Sequence, residues 1–255
     1  MQKKLKIPFH KAVVDNDVFD EIKDSLSTGW LTTGPKVKKF ESLLEDFLDA
    51  KHVIALNSCT AALHIALLAK NIKPGDKVIV PTYTFVSTSE VLEYIGAIPV
   101  FVDSCLDSFN LDVEKVEENL KKDSSIKGIM PVHFAGQSVN MKPLLFLRKK
   151  YNLFIIEDCA HSLETTSAMG KVGNTNDFAA FSFYANKNIT TGGEGGALST
   201  NNTALAEKAR VLSLHGMSKD GWKRFKRGSK WQYDVGTLGY KYNMSDIQSS
   251  IGIEQ

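Results

Sequence analysis

Cysteine is scarce. Only Cys59, Cys105 and Cys159 occur in 255 residues, too few and too odd in number for a disulfide framework, so a reducing compartment is expected. A dominant charge is missing as well: 31 Lys and Arg against 29 Asp and Glu leave a net +2. That balance gives no electrostatic drive toward nucleic acid or a membrane surface. Long apolar runs are absent too; Ile98 to Val102 is typical of the longest, far short of a membrane span. The basic start MQKKLKIPFH has no apolar segment behind it, so no secretory signal is read and a cytoplasmic protein is expected. Internal repeats, low-complexity linkers, a G-x-x-x-x-G-K-[ST] loop and a G-x-G-x-x-G turn after a strand are all lacking.

What is present is 43% hydrophobic and 24% charged residues, enough to fill a sizeable core and to exclude disorder, collagen and coiled coil. Short β-branched runs alternate with helical patterns. Strands are expected at His52–Leu56, Lys77–Val80, Ile98–Val102, Gly128–Val132, Leu153–Glu157, Phe178–Phe183 and Gly196–Ser199. Helices are expected over Lys36–Ala50 behind Pro35, Thr60–Ala69, Ser87–Tyr94, Val113–Lys122, Lys142–Tyr151 and Asn202–Leu214. The alternation predicts an α/β fold with a mostly parallel sheet covered on both faces. Ser245-Asp246-Ile247-Gln248 opens another helix that meets no stop signal before Gln255, so a longer parent protein is expected.

In such sheets ligands sit beyond the C-terminal strand ends, and three segments there carry chemistry. Ser58-Cys59-Thr60-Ala61-Ala62 opens a helix after a strand, a place where free N–H groups hold a phosphate. The alternative is an ordinary N-cap by Asn57 or Ser58. Glu157-Asp158-Cys159-Ala160-His161 puts Asp158 at a strand end, either as a functional carboxylate or as a structural acid capping the next turn. Cys159 reads as a small core residue rather than a nucleophile. Lys187 follows the strand of Phe181-Ser182-Phe183 and precedes Gly192-Gly193-Glu194-Gly195-Gly196. Desolvation there frees an amine for imine chemistry, whereas a solvent-pointing loop lysine is the plain alternative. A phosphate cradle, an anion for a ring nitrogen and an amine for an aldehyde together describe pyridoxal 5′-phosphate (PLP). No metal is called for.

These residues carry a resemblance. From Gly29-Trp30-Leu31-Thr32-Thr33-Gly34-Pro35 to Gln255 the chain resembles the DegT/DnrJ/EryC1/StrS sugar aminotransferases, a family of fold-type I PLP-dependent enzymes. The most specific stretch is Phe181-Ser182-Phe183-Tyr184-Ala185-Asn186-Lys187-Asn188-Ile189-Thr190-Thr191-Gly192. Asn57–Leu63, Pro99–Asp103, Glu157–His161 and Gly239–Asp246 support it. The resemblance implies a three-layer αβα large domain over 1–255, with most of the family's small C-terminal domain lying beyond Gln255 or absent. It implies that Lys187 is catalytic and binds the cofactor aldehyde, that Asp158 pairs with the pyridine nitrogen, and that His161 lies near the phenolic oxygen. Phe85 would stack on the ring, while Thr60, Ala61 and Ser182 would cradle the phosphate. Asn243, in Lys241–Asn243, would reach the phosphate of a neighbouring subunit in a homodimer. Thr32 and Thr33 would border the substrate.

The implied reaction transfers an amino group from L-glutamate to a nucleotide-linked keto-sugar. Lys187 favours transamination over the dehydration run by members with histidine in its place. The glycine run is one residue longer than the family's usual form. A non-catalytic PLP-binding homologue is the alternative in the same fold; a nicotinamide oxidoreductase lacks its glycine fingerprint. Lys219 to Trp231 interleaves six cations with Trp222, Phe225 and Trp231, readable as a solvated loop or as a grip on a nucleotide diphosphate.

Overall fold

The alternating pattern yields one seven-stranded sheet with helices on both faces. In the computed structural model, residues 7–174, 177–217 and 234–255 are described; the basic stretch Lys219 to Trp231 lies outside them. Strands β1 (His52–Leu56), β2 (Lys77–Pro81), β3 (Ile98–Val102), β4 (Ile126–Ile129) and β5 (Phe154–Asp158) precede a two-residue hairpin, β6 (Thr166–Ser167) and β7 (Gly170–Lys171). β8 (Phe178–Ser182) and β9 (Gly196–Thr200) complete the set. The large sheet runs β1-β9-β8-β5-β4-β2-β3. β3, β2, β4, β5 and β8 pair in parallel, while β9 is antiparallel to both β8 and β1.

Helices α1 (Asn16–Thr28), α2 (Pro35–Leu48), α3 (Cys59–Ala69), α4 (Ser87–Glu93), α5 (Val113–Lys122), α6 (Met141–Tyr151), α7 (Thr203–Ser213) and α8 (Asp246–Glu254) form the outer layers. Successive strand residues point to opposite faces, which divides the core. Ile54, Leu56, Val78, Val80, Ile156 and Phe178 pack beneath α3, α4 and α7. On the other face, Val53, Ala55, Phe181 and Ala197 meet Val37, Phe40 and Leu44 of α2. Ile79, Val102 and Ile155 meet Val116 and Leu120 of α5 and Leu144 and Leu147 of α6. Each such fully buried large apolar side chain contributes about 1.5–3 kcal/mol relative to exposure. Helix α3 is buried nearly all round, so its N-terminus is held rigidly at the sheet edge. Among the described residues no helix is long and apolar enough to cross a membrane.

One sequence expectation is corrected, and one helix lies outside the sequence expectations. The fourth strand is Ile126–Ile129, not Gly128–Val132: Pro131 has no N–H for the ladder, and Val132 keeps only a single bridge to Asp158. Helix α1 was not anticipated, because it buries only Val18 and Ser25 of its own residues and leaves Phe19 and Leu26 exposed.

Candidate active site

The first element is the β1–α3 turn. Ser58 is the N-cap of α3: its Oγ accepts from Ala61 N at 3.0 Å, and Ala62 N donates to Ser58 O at 3.1 Å as the first helical bond. The cap therefore satisfies Ala61 and leaves the leading amides of Cys59 and Thr60 ahead of the ladder. Strand β9 presses close behind this turn. A Cβ on Gly196 would lie 2.4 Å from Ser58 C and 2.5 Å from Cys59 N; only glycine permits that approach. Ser182, half-buried at the end of β8, uses its Oγ to accept from Tyr184 N at 3.3 Å.

Asp158 ends β5 and is almost fully buried. Its Oδ2 accepts from Thr88 Oγ1 at 2.8 Å and its Oδ1 from Ala160 N at 3.1 Å. One oxygen thus caps the following turn, as the structural reading expected, and the other is held by a side chain from α4. A carboxylate has about four acceptor sites, so capacity remains. Thr88 is itself oriented by Thr84 at 2.7 Å. Sequence reasoning missed Thr88; its only signal is the Thr84/Thr88 spacing after β2, which by itself indicates no chemistry.

Lys187 is half-buried in the loop between β8 and β9. That loop folds back on itself through Lys187 N to Tyr184 O at 2.9 Å, Ala185 N to Gly193 O at 3.0 Å and Phe183 N to Gly195 O at 2.9 Å. Gly192 and Gly193 take φ of 90° and 110°, a region glycine enters without strain. Among the described residues no hydrogen bond or ion pair engages the Lys187 amine. Burial lowers its pKa, opposed by the nearby Cys59 and Asp158. Burial also lowers the pKa of His161, aided by the Lys187 charge and opposed by Asp158. Asp158, Lys187, Cys59 and His161 are therefore close enough to act on one another electrostatically. Burial pushes the thiols of Cys59 and Cys159 well up, which leaves both as protonated packing groups.

His161 Nδ1 accepts from Ala135 N at 3.2 Å, and its ring meets Phe134 edge-on at 5.9 Å. Phe85, after β2, is 73% exposed and presents a large open ring at the same sheet edge. Thr33 and Asn243 come together: Asn243 Nδ2 donates to Thr33 Oγ1 at 2.7 Å, and Thr33 Oγ1 donates to Met244 O at 2.7 Å. The Lys241–Asn243 segment runs beside the β1–α3 turn of its own chain, with Asn57 N donating to Tyr242 O at 2.8 Å. Thr32 is exposed, and its carbonyl accepts from Asp246 N at 3.2 Å.

Known proteins carry the same fold. Spr1654 of Streptococcus pneumoniae, described as a sugar aminotransferase and solved in its PMP form, superposes with a TM-score of 0.88 at 35% identity. The match covers 98% of this chain and 67% of that one. The spore coat polysaccharide biosynthesis protein SpsC of Bacillus subtilis is 44% identical over 98% of this chain and 63% of its own length. The GDP-perosamine synthase of Caulobacter vibrioides is 39% identical over 95% of this chain and 62% of its own length. The chain thus spans less than two thirds of these two relatives. A family profile matches residues 13–255, and with it the chain belongs to the DegT/DnrJ/EryC1/StrS aminotransferase family.

Proposed function

We propose that the chain is the cofactor-binding part of a PLP-dependent aminotransferase that turns a nucleotide-linked keto-sugar into an amino sugar, with L-glutamate as amino donor. The observation that carries this is the convergence, at the C-terminal ends of β1, β5 and β8, of an amine with a lowered pKa, a buried carboxylate with spare acceptor capacity and the leading amides of α3. That donor set fits PLP: a phosphate for the Cys59 and Thr60 amides, a ring nitrogen for Asp158 and an aldehyde for Lys187. The close approach permitted by Gly196 keeps the phosphate cradle free of side chains from β9. When bound, PLP supplies the aldehyde that takes up amines and the ring that stores the electron pair of the broken C–H bond.

The protein's own groups divide the remaining work. Asp158, fixed by Thr88 and Ala160, stabilises a positive ring nitrogen. Lys187, whose pKa burial lowers, accepts and returns the α-proton. His161 offers a hydrogen bond at the ring edge and Phe85 covers one face. Thr60, Ala61 and Ser182 surround the phosphate, Ala61 through the backbone that the Ser58 cap holds in place. Thr32 and Thr33 border the substrate, and Asn243 completes the site of a second copy in a homodimer. The net reaction moves the amino group of L-glutamate to the sugar ketone and leaves 2-oxoglutarate.

The test is release of 2-oxoglutarate from L-glutamate with a nucleotide-linked keto-sugar as acceptor, assayed on the full-length protein. Lys187→Ala is expected to abolish it. Normal turnover by that variant, or equal use of a free keto-sugar, contradicts the respective part of the proposal.

A further inference from the structure

Directly behind Asp158 lies a buried pair that the proposed reaction does not use. His133 and Glu157 are inaccessible to solvent, with Nε2 of His133 2.9 Å from Oε2 of Glu157. The other imidazole nitrogen, Nδ1, accepts from Val139 N at 3.0 Å. A nitrogen that accepts has no proton, so the His133 proton sits on Nε2 and is donated to Glu157. The same bond argues against a metal ion among His133, Glu157 and Cys159, whose ligand atoms lie within 4.8 Å of one another. A metal at Nε2 would leave the ring with no proton at all.

His133 thereby ties three segments together. Its side chain joins β5 to Val139, its N–H donates to Asp158 O at 3.0 Å, and its carbonyl accepts from Ser162 Oγ at 2.8 Å. Between His133 and Val139 the chain makes a tight excursion in which Ala135 takes φ of 51° and Gly136 φ of 83°. An alanine in the left-handed region is uncommon and persists where its surroundings enforce it. The excursion turns the Ala135 N–H onto His161 Nδ1 at 3.2 Å.

We infer that the Glu157–His133 pair is a positioning device that sets the tautomer of His161. Glu157 holds His133, His133 anchors the 133–139 excursion, and the excursion delivers the Ala135 N–H to Nδ1, which leaves the proton of neutral His161 on Nε2. Nε2–H is then the hydrogen that His161 offers to a ligand. The burial and the Lys187 charge that lower the pKa of His161 keep the ring neutral, the state in which tautomer matters. Its consequence for catalysis rests on the proposed PLP function; the tautomer itself does not.

The experiment is side-chain ¹H–¹⁵N NMR of histidine-labelled protein, with His161 assigned by its loss in His161→Gln. The wild type is expected to show His161 as a single Nε2–H tautomer. Glu157→Gln keeps an acceptor for His133 and should leave that signature unchanged. Glu157→Leu and His133→Asn should convert it to a mixture of both tautomers, while the His52 and His64 signals stay in place and report an intact fold. A wild-type His161 protonated on Nδ1 overturns the inference even if neither disruptive variant folds. A single Nε2–H tautomer that persists in folded Glu157→Leu and His133→Asn overturns it as well. PLP added to the wild type provides the separate arm: absence of a bound-cofactor absorbance band, with the tautomer results as expected, contradicts the proposed function and leaves the positioning role standing.

Discussion

His64 shows how a single buried group links helix α3 to solution conditions. It lies within α3 and is 3% exposed, with Nδ1 3.2 Å from the Tyr242 hydroxyl and Nε2 without a partner among the described residues. Rings of Tyr94, Tyr240 and Tyr242 surround it at 4.7–5.9 Å. Burial lowers its pKa below the ordinary 6.5. Between that lowered value and 6.5 the unfolded chain binds a proton that folded His64 refuses, so stability rises with pH there. The contribution is complete above 6.5 and is lost as the pH drops below it. His64→Leu removes this proton site, and the urea midpoint of the variant is expected to fall less between pH 7.5 and 5.5 than that of the wild type. Equal acid sensitivity of the two proteins would count against the assignment. At this scale Lys187 and Asp158 are candidates legible in the sequence because an amine and a carboxylate follow buried strands, while the candidate role of His161 comes from the family resemblance. Thr88, Ala135 and His133 are not legible there, because their roles depend on tertiary hydrogen bonds that no local pattern announces.

Among the elements, the start of α2 shows a cap supplied from across the chain. Gly34 at its N-cap has no side chain to offer. Instead Asp246, 1% exposed, accepts from Gly34 N at 2.7 Å and Val37 N at 3.0 Å through Oδ1, and from Lys36 N at 3.2 Å through Oδ2. Burial raises the pKa of Asp246 against the pull of these amides. Asp246→Ala strands three N–H groups and is expected to cost about 2–4 kcal/mol in urea unfolding. Asp246→Asn keeps one acceptor oxygen and should cost about half as much; no loss in either variant would refute the capping role. The β1–α3 turn makes a parallel case. In Gly196→Ala the new methyl meets backbone atoms at 2.4 and 2.5 Å, which cannot yield without moving the leading amides of α3. We expect the PLP dissociation constant to rise about tenfold or more, equivalent to about 1.4 kcal/mol, and an unchanged constant would dissociate this turn from cofactor binding. Pro35 at the first helical position and Ser245 with Gln248 in a capping box were readable from sequence. The Asp246 cap was not, since 212 residues separate it from Gly34. Helix α1 was hidden for another reason: 61% exposure of Phe19 and 58% of Leu26 breaks the match between apolar position and buried face on which periodicity depends.

Taken as a molecule, the chain places its chemistry where a mostly parallel sheet places ligands. β5 ends at Asp158, β1 ends before the α3 amides, and β8 ends before the Lys187 loop. The layered α/β architecture was legible because strand-length apolar runs alternated with amphipathic helices. The direction of β9 was not. Gly196-Ala197-Leu198-Ser199-Thr200 is buried throughout, and a short buried strand reads alike whether it runs with or against its neighbours. Its reversal brings Gly196 rather than the far end of the strand against Ser58. Under the proposed function, these three groups at the C-terminal strand ends form one site only if the whole architecture is intact. The most direct measurement is titration of the purified chain with PLP, followed by borohydride reduction and peptide mass mapping. The expected result is a saturable bound-cofactor absorbance band, PLP fixed on the peptide carrying Lys187, and neither in Lys187→Ala. A chain that shows no band, or that carries PLP only on other lysines with Lys187 untouched, would contradict it.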